Sequence, residues 1–177
     1  MATTNTVGTI VGNPRPASRT TQVAEAVATC IARGLGAATV LTPVELGLYG
    51  PAVFDPSSEA VENDLAAIAA VDVLVVASPT YKATYTGLLK AFFDRYGTNG
   101  LAGVVAVPVM VGGVPQHALA TEVHLRPLLV ELGAVVPSRG LYVLDSELDD
   151  LVEIAGHWWD SSAPAVRAAV LSEAMQS

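Results

Sequence analysis

Between Gly12 and Thr21 the chain reads Gly12-Asn13-Pro14-Arg15-Pro16-Ala17-Ser18-Arg19-Thr20-Thr21, a dense set of cationic and hydroxyl groups in a protein with only 9 Lys and Arg. The segment leaves an apolar run and opens a stretch of helical periodicity. A helix N-terminus presents unpaired backbone N–H groups and a partial positive charge. Guanidiniums and hydroxyls add charge-assisted and neutral donors to it. Asn13, Arg15, Ser18, Arg19, Thr20 and Thr21 therefore make up a candidate phosphate cradle. In the plainer alternative, Ser18 or Thr20 caps a helix while Arg15 and Arg19 are solvated. No Gly-x-x-x-x-Gly-Lys and no Gly-x-Gly-x-x-Gly stands at this position, which excludes a P-loop and a dinucleotide-type phosphate turn.

Two further loops carry candidate chemistry. Ser78-Pro79-Thr80-Tyr81-Lys82-Ala83-Thr84-Tyr85-Thr86-Gly87 follows an apolar run. Pro79 ends that run stiffly, and the backbone and ring that follow, Pro79, Thr80, Tyr81 and Lys82, suit the edge of a flat heterocycle. Tyr81 and Tyr85 read equally well as surface or interface aromatics. In Val111-Gly112-Gly113-Val114 the adjacent glycines admit close approach of a ligand, although an ordinary turn has the same composition. His117 and His124 share one helical segment and His157 is remote, so no metal-ligand spacing emerges and no metal is expected. There is no Gly-x-Ser-x-Gly elbow, and Cys30 falls in a helix rather than an active loop, which argues against triad hydrolysis.

These loops must be held by a frame, and strand-like runs alternate with helix-period segments from end to end. That is the pattern of a parallel sheet covered by helices on both faces. Strands are predicted at about 6–11, 38–42, 71–77, 104–111 and 135–143. Helices are predicted at about 18–32, 58–70, 86–96, 115–132 and from 147 onward, where Pro164 either splits the last helix or is carried within it. Residues 43–57, with prolines at 43, 51 and 56, read as a long loop. In open sheets of this kind ligands bind beyond the carboxyl ends of the strands, where all three candidate loops lie.

The 177 residues fit one domain spanning 1–177. Apolar residues at 51% and a mean hydropathy of +0.47 suit a packed core, and the longest apolar runs are strand-sized. No secretory signal is expected at the N-terminus, and one cysteine, assigned to packing, fits a reducing cytoplasm. A net charge of −8 disfavours nucleic acid and anionic membranes and favours a small ligand or another protein.

Taken together, Gly12-Asn13-Pro14-Arg15 with Ser18 and Thr20, Pro79-x-Tyr81 with Gly87-x-Leu89-Lys90 and Asp94, and Gly112-Gly113 resemble the NADPH-dependent FMN reductase family. Ser78-Pro79-Thr80-Tyr81-Lys82-Ala83 and Leu125-Arg126-Pro127-Leu128-Leu129 are most similar to its branch that supplies reduced flavin to two-component monooxygenases such as the alkanesulfonate system. The resemblance implies a flavodoxin-like α/β three-layer sandwich with a five-stranded parallel sheet of order 2-1-3-4-5. It implies FMN with its phosphate on Arg15, Ser18 and Thr20, its isoalloxazine bordered by Pro79 to Lys82 and flanked by Gly112 and Gly113. Asn13 stands where the family usually has serine, and an amide can still donate there. The helix containing Val123 and His124 corresponds to a segment that can carry a π-type insertion.

The activity so implied is hydride transfer from NADPH or NADH to flavin N5, which needs stacked rings and an open face rather than a side-chain acid or base. A flavin-dependent monooxygenase is the implied partner, and a homodimer or homotetramer the implied assembly. Two other readings share the fold: an FMN-containing quinone, azo-dye or metal-ion reductase, and a flavodoxin-like electron carrier meeting its partner through the acidic surface.

Overall fold

The computed structural model describes residues 5–175. Its first strand, β1 (Thr6–Val11), is followed by α1 (Arg19–Gly34), a short β2 (Thr39–Val40) and a short β3 (Val44–Glu45). After two 3₁₀ turns come α2 (Glu59–Ala69), β4 (Val73–Pro79) and α3 (Gly87–Phe93). The chain continues through β5 (Val105–Gly112), α4 (Arg126–Glu131), β6 (Leu141–Leu144) and α5 (Leu151–Ala174).

All pairings are parallel, in the order β2-β1-β4-β5-β6 with β3 also on β1. β2 pairs with the start of β1, Thr6 opposite Thr39, and β3 with its end, Val11 opposite Glu45. The two are one edge strand interrupted around Pro43, a residue without an N–H to give to the ladder. Counted as one, they restore the expected order 2-1-3-4-5; counted apart, they make six strands instead of five. The interruption carries Glu45 to the end of β1, beside the first candidate loop.

β4 and β5 are buried along their whole lengths, as continuous β-branched runs in the middle of a parallel sheet must be. Alternate residues feed two cores. Val73, Val75 and Ala77 join Val23, Val27 and Ile31 of α1 and Trp158, Trp159 and Val166 of α5. Leu74 and Val76 join Leu65 of α2, Phe92 and Phe93 of α3 and Leu129 of α4. α1 and α5 meet at Gly34, where a Cβ would lie 2.1 Å from the Trp159 ring, so no larger residue fits without moving the indole. α5 carries Pro164 inside it, and Ala163, Val166 and Val170 are buried on either side. No helix among the described residues is long and apolar enough to cross a membrane.

Two predicted elements differ in detail. The strand expected at 135–143 is confined to Leu141–Leu144, with Val135 making an isolated bridge to Val105. In between, the Arg126 guanidinium takes the carbonyls of Val136, at 2.7 Å, and Ser138, while Glu122 Oε1 accepts the Gly140 N–H at 2.6 Å. Side chains thus satisfy backbone groups that a ladder would otherwise pair. The helix expected at 115–132 is a 3₁₀ turn at Pro115–His117, a π-helical stretch at Thr121–Leu125 and then α4. The π stretch contains Val123 and His124, in the segment that the resemblance marks as able to carry one. An inserted residue of this kind widens one turn and re-aims the side chains on it.

Candidate functional site

The carboxyl ends of β1, β4 and β5 are tied to one another beyond the strands. Gly12 N–H donates to Ala77 O at 2.8 Å, Thr80 N–H to Val111 O at 2.7 Å, and Asp145 N–H to Gly112 O at 2.9 Å. Thr86 Oγ1 reaches across to Gly12 O at 2.6 Å, fixing the second loop against the first. The loops enclose a cavity of about 420 Å³. Asn13, Arg15, Ser18, Arg19 and Thr20 line it from the first loop, Pro79, Thr80 and Tyr81 from the second, and Gly112 and Gly113 from the third. Thr21 and Lys82, also expected at the site, stand outside this lining.

The first loop is built by local hydrogen bonds. Asn13 is buried; its Oδ1 accepts the Arg15 N–H at 2.9 Å and its Nδ2 donates to Thr20 Oγ1 at 3.1 Å. Receiving that bond leaves the Thr20 hydroxyl its own proton to donate. Ser18 is the N-cap of α1 in a reciprocal capping box with Thr21. Thr21 Oγ1 is used up there, accepting from Ser18 N–H and donating to Glu45 Oε2 at 2.9 Å, which is why Thr21 is absent from the cavity. Ala17 has φ of 49°, a left-handed conformation that a non-glycine residue seldom adopts, and Glu45 Oε2 accepts its N–H at 2.7 Å. The N–H groups of Arg19 and Thr20, in the first turn of α1, carry no hydrogen bond among the described residues. The cradle thus offers free helix N-terminal donors, one hydroxyl proton and two exposed guanidiniums.

In the second loop Tyr81 and Thr84 pair with each other, N–H to O at 2.9 and 3.2 Å, around Lys82 and Ala83. Both central residues have positive φ, 52° and 65°, the conformation of a tight type I′ reversal. Lys82 is at the exposed tip, whereas Tyr81, 48% exposed, borders the cavity. Thr80 Oγ1 is buried beside the Tyr142 hydroxyl, where the second loop meets β6.

The paired glycines differ from one another. A Cβ on Gly112 would lie 2.1 Å from the Tyr142 hydroxyl and 3.1 Å from Thr80 Oγ1, so the fold itself requires glycine there. The Tyr142 hydroxyl donates to Val114 O at 2.8 Å, and burial pushes the phenol's pKa above its usual value. A Cβ on Gly113 would meet nothing nearer than Asp145 Oδ2 at 3.8 Å, so its bareness leaves open space toward the cavity.

Asp145 lines the cavity and was missed by the sequence reading. It lies just past β6, and the rule that ligands gather at strand carboxyl ends would have reached it. Glu45 was missed because β3 sits inside what reads as a loop. Among the described residues no group of three or more His, Cys, Asp or Glu is placed to hold a metal ion. Tyr85 and His124 line a separate hollow of about 510 Å³ with Lys90 and Tyr96.

The family model described as NADPH-dependent FMN reductase matches residues 5–149. The chain is 33% identical over 151 residues to the NADH-dependent FMN reductase SfnE of Pseudomonas putida, covering 82% of this chain and 80% of that one. It is 38% identical over 90 residues to the NADH-dependent FMN reductase SfnF of Pseudomonas fluorescens (strain Pf0-1), a match that covers 51% of this chain and spans only 48% of that relative. Among solved structures it is similar to the apo form of an NADH:FMN oxidoreductase (EMOB), with a TM-score of 0.75 and 31% identity over 96% of this chain and 90% of that one.

Proposed function

Because this chain belongs to the NADPH-dependent FMN reductase family, we propose that it is an NAD(P)H-dependent FMN reductase whose flavin occupies the cavity at the ends of β1, β4 and β5. The observation that carries this reading is the junction of two features in one cavity: an anion cradle with free donors and a bare glycine edge.

The residues present fit FMN. Arg15, Arg19, Thr20 and the free N–H groups of Arg19 and Thr20 would hold its phosphate, with Ser18 and Asn13 shaping the loop. Pro79, Thr80 and Tyr81 would border the ring on one side and Gly112 and Gly113 on the other. When bound, the flavin supplies the hydride-accepting chemistry. The protein's own part is orientation and partial exclusion of water, since hydride transfer between stacked rings needs no side-chain acid or base. A pocket of backbone donors and hydroxyls also suits the negative charge that reduction adds.

The same reading extends to a flavin-dependent monooxygenase as recipient of the reduced flavin, a cytoplasmic setting, and self-association as a homodimer or homotetramer. Leu119, Val123 and Val130, each more than half exposed along the segment that includes the π stretch, support an assembly surface. The test is oxidation of NADH and of NADPH by purified protein with and without added FMN. Turnover of either nicotinamide that depends on added FMN is expected. Absence of turnover with both nicotinamides in excess FMN would reject the reductase, and FMN-independent turnover of quinones would favour the quinone reductase reading.

A further inference from the structure

Arg19 and Asp145 face each other across the edge of the cavity, guanidinium to carboxylate at 3.6 Å, with 64% and 42% of their side chains exposed. Asp145 is anchored through its N–H to Gly112 O at 2.9 Å, and its Oδ2 is 3.8 Å from the position of a Cβ on Gly113. The carboxylate thus stands between the glycine edge and the first turn of α1. An ion pair this open to water contributes little to stability, so holding the fold does not account for it. On the far side of the same loop a second carboxylate, Glu45, already takes the Ala17 N–H and the Thr21 hydroxyl. Two carboxylates thus flank the loop, Asp145 on the Arg19 guanidinium and Glu45 on the Ala17 N–H and the Thr21 hydroxyl.

We propose that Asp145 sets the affinity and selectivity of the cradle for the flavin phosphate by pairing with Arg19; this rests on the reading that the cavity takes FMN. A phosphate entering the loop competes with the Asp145 carboxylate for Arg19. The anionic group then adds less to binding than two arginines and a helix N-terminus would otherwise give. FMN is held only modestly more firmly than its phosphate-free analogue riboflavin, and the flavin exchanges readily.

The experiment is titration of FMN and of riboflavin, followed by flavin fluorescence, into the wild type, Asp145→Asn, Arg19→Ala and the double variant, with melting temperatures as a control. Removing the carboxylate that competes for Arg19 tightens FMN about threefold to tenfold in Asp145→Asn while riboflavin stays within about twofold, and the gain shrinks in the Arg19→Ala background. Asp145→Ser repeats the comparison with a smaller uncharged side chain. An unchanged FMN dissociation constant in both Asp145 variants, or an equal gain for the two flavins, overturns the proposal while leaving the FMN site standing. A wild type that binds neither flavin removes the site and the proposal together.

Discussion

At Gly112 and Gly113 the same residue type answers two different demands. Gly112 is glycine because the Tyr142 hydroxyl occupies the space of its side chain, whereas Gly113 borders open cavity. Gly112→Val is therefore expected to overpack the junction of β5 and β6 and cost about 1–3 kcal/mol of stability. Gly113→Val is expected to leave the melting temperature nearly unchanged and to weaken FMN binding at least tenfold, about 1.4 kcal/mol, by filling the ring's border. Denaturation curves and flavin titrations of the two variants check this. Equal loss of stability in both, or undiminished FMN binding by Gly113→Val, would contradict the assignment. From composition alone the two positions were indistinguishable, since only the register of β5 against β6 brings Tyr142 to one and not the other.

Between elements, side chains take over backbone partners where the strands stop. The Arg126 and Glu122 pair, together with the carbonyls of Val136 and Ser138 and the Gly140 N–H, holds the stretch between the Val135 bridge and β6. The Arg126 guanidinium holds the Glu122 carboxyl below its ordinary value, and the Gly140 N–H adds to this. A carboxyl depressed in the folded state stabilises the protein above its unfolded pKa, near 4.5, and that contribution is lost as pH falls through the folded value. Glu122→Gln is thus expected to be less stable than the wild type at neutral pH, with the gap closing as the pH drops below about 4.5. Denaturant midpoints at neutral and acidic pH measure this, and a gap independent of pH would show that the Glu122 charge is not what stabilises this stretch. The spacing of apolar residues was enough to place α1, α2, β4 and β5 within a few positions. It could not show that Pro43 splits an edge strand, or that residues 136–140 leave the ladder, because those outcomes depend on partners far along the chain or on another element.

Across the whole molecule, the alternation of strand and helix periods made the parallel sheet covered by helices legible before any coordinates, while the strand order came from the family resemblance. Legibility fell at Glu45 and Asp145, anions drawn to the cradle by tertiary placement, and at Thr21, a hydroxyl that the sequence assigns to phosphate and the fold commits to capping. In the proposed function three strand ends build one FMN site whose phosphate lies on the first loop. The most direct test is a crystal structure of the protein with FMN. The expected result places the phosphate against Arg15, Arg19 and Thr20 and the ring between Tyr81 and the Gly112-Gly113 edge. Flavin seated elsewhere, such as in the hollow bordered by Tyr85 and His124, would contradict it.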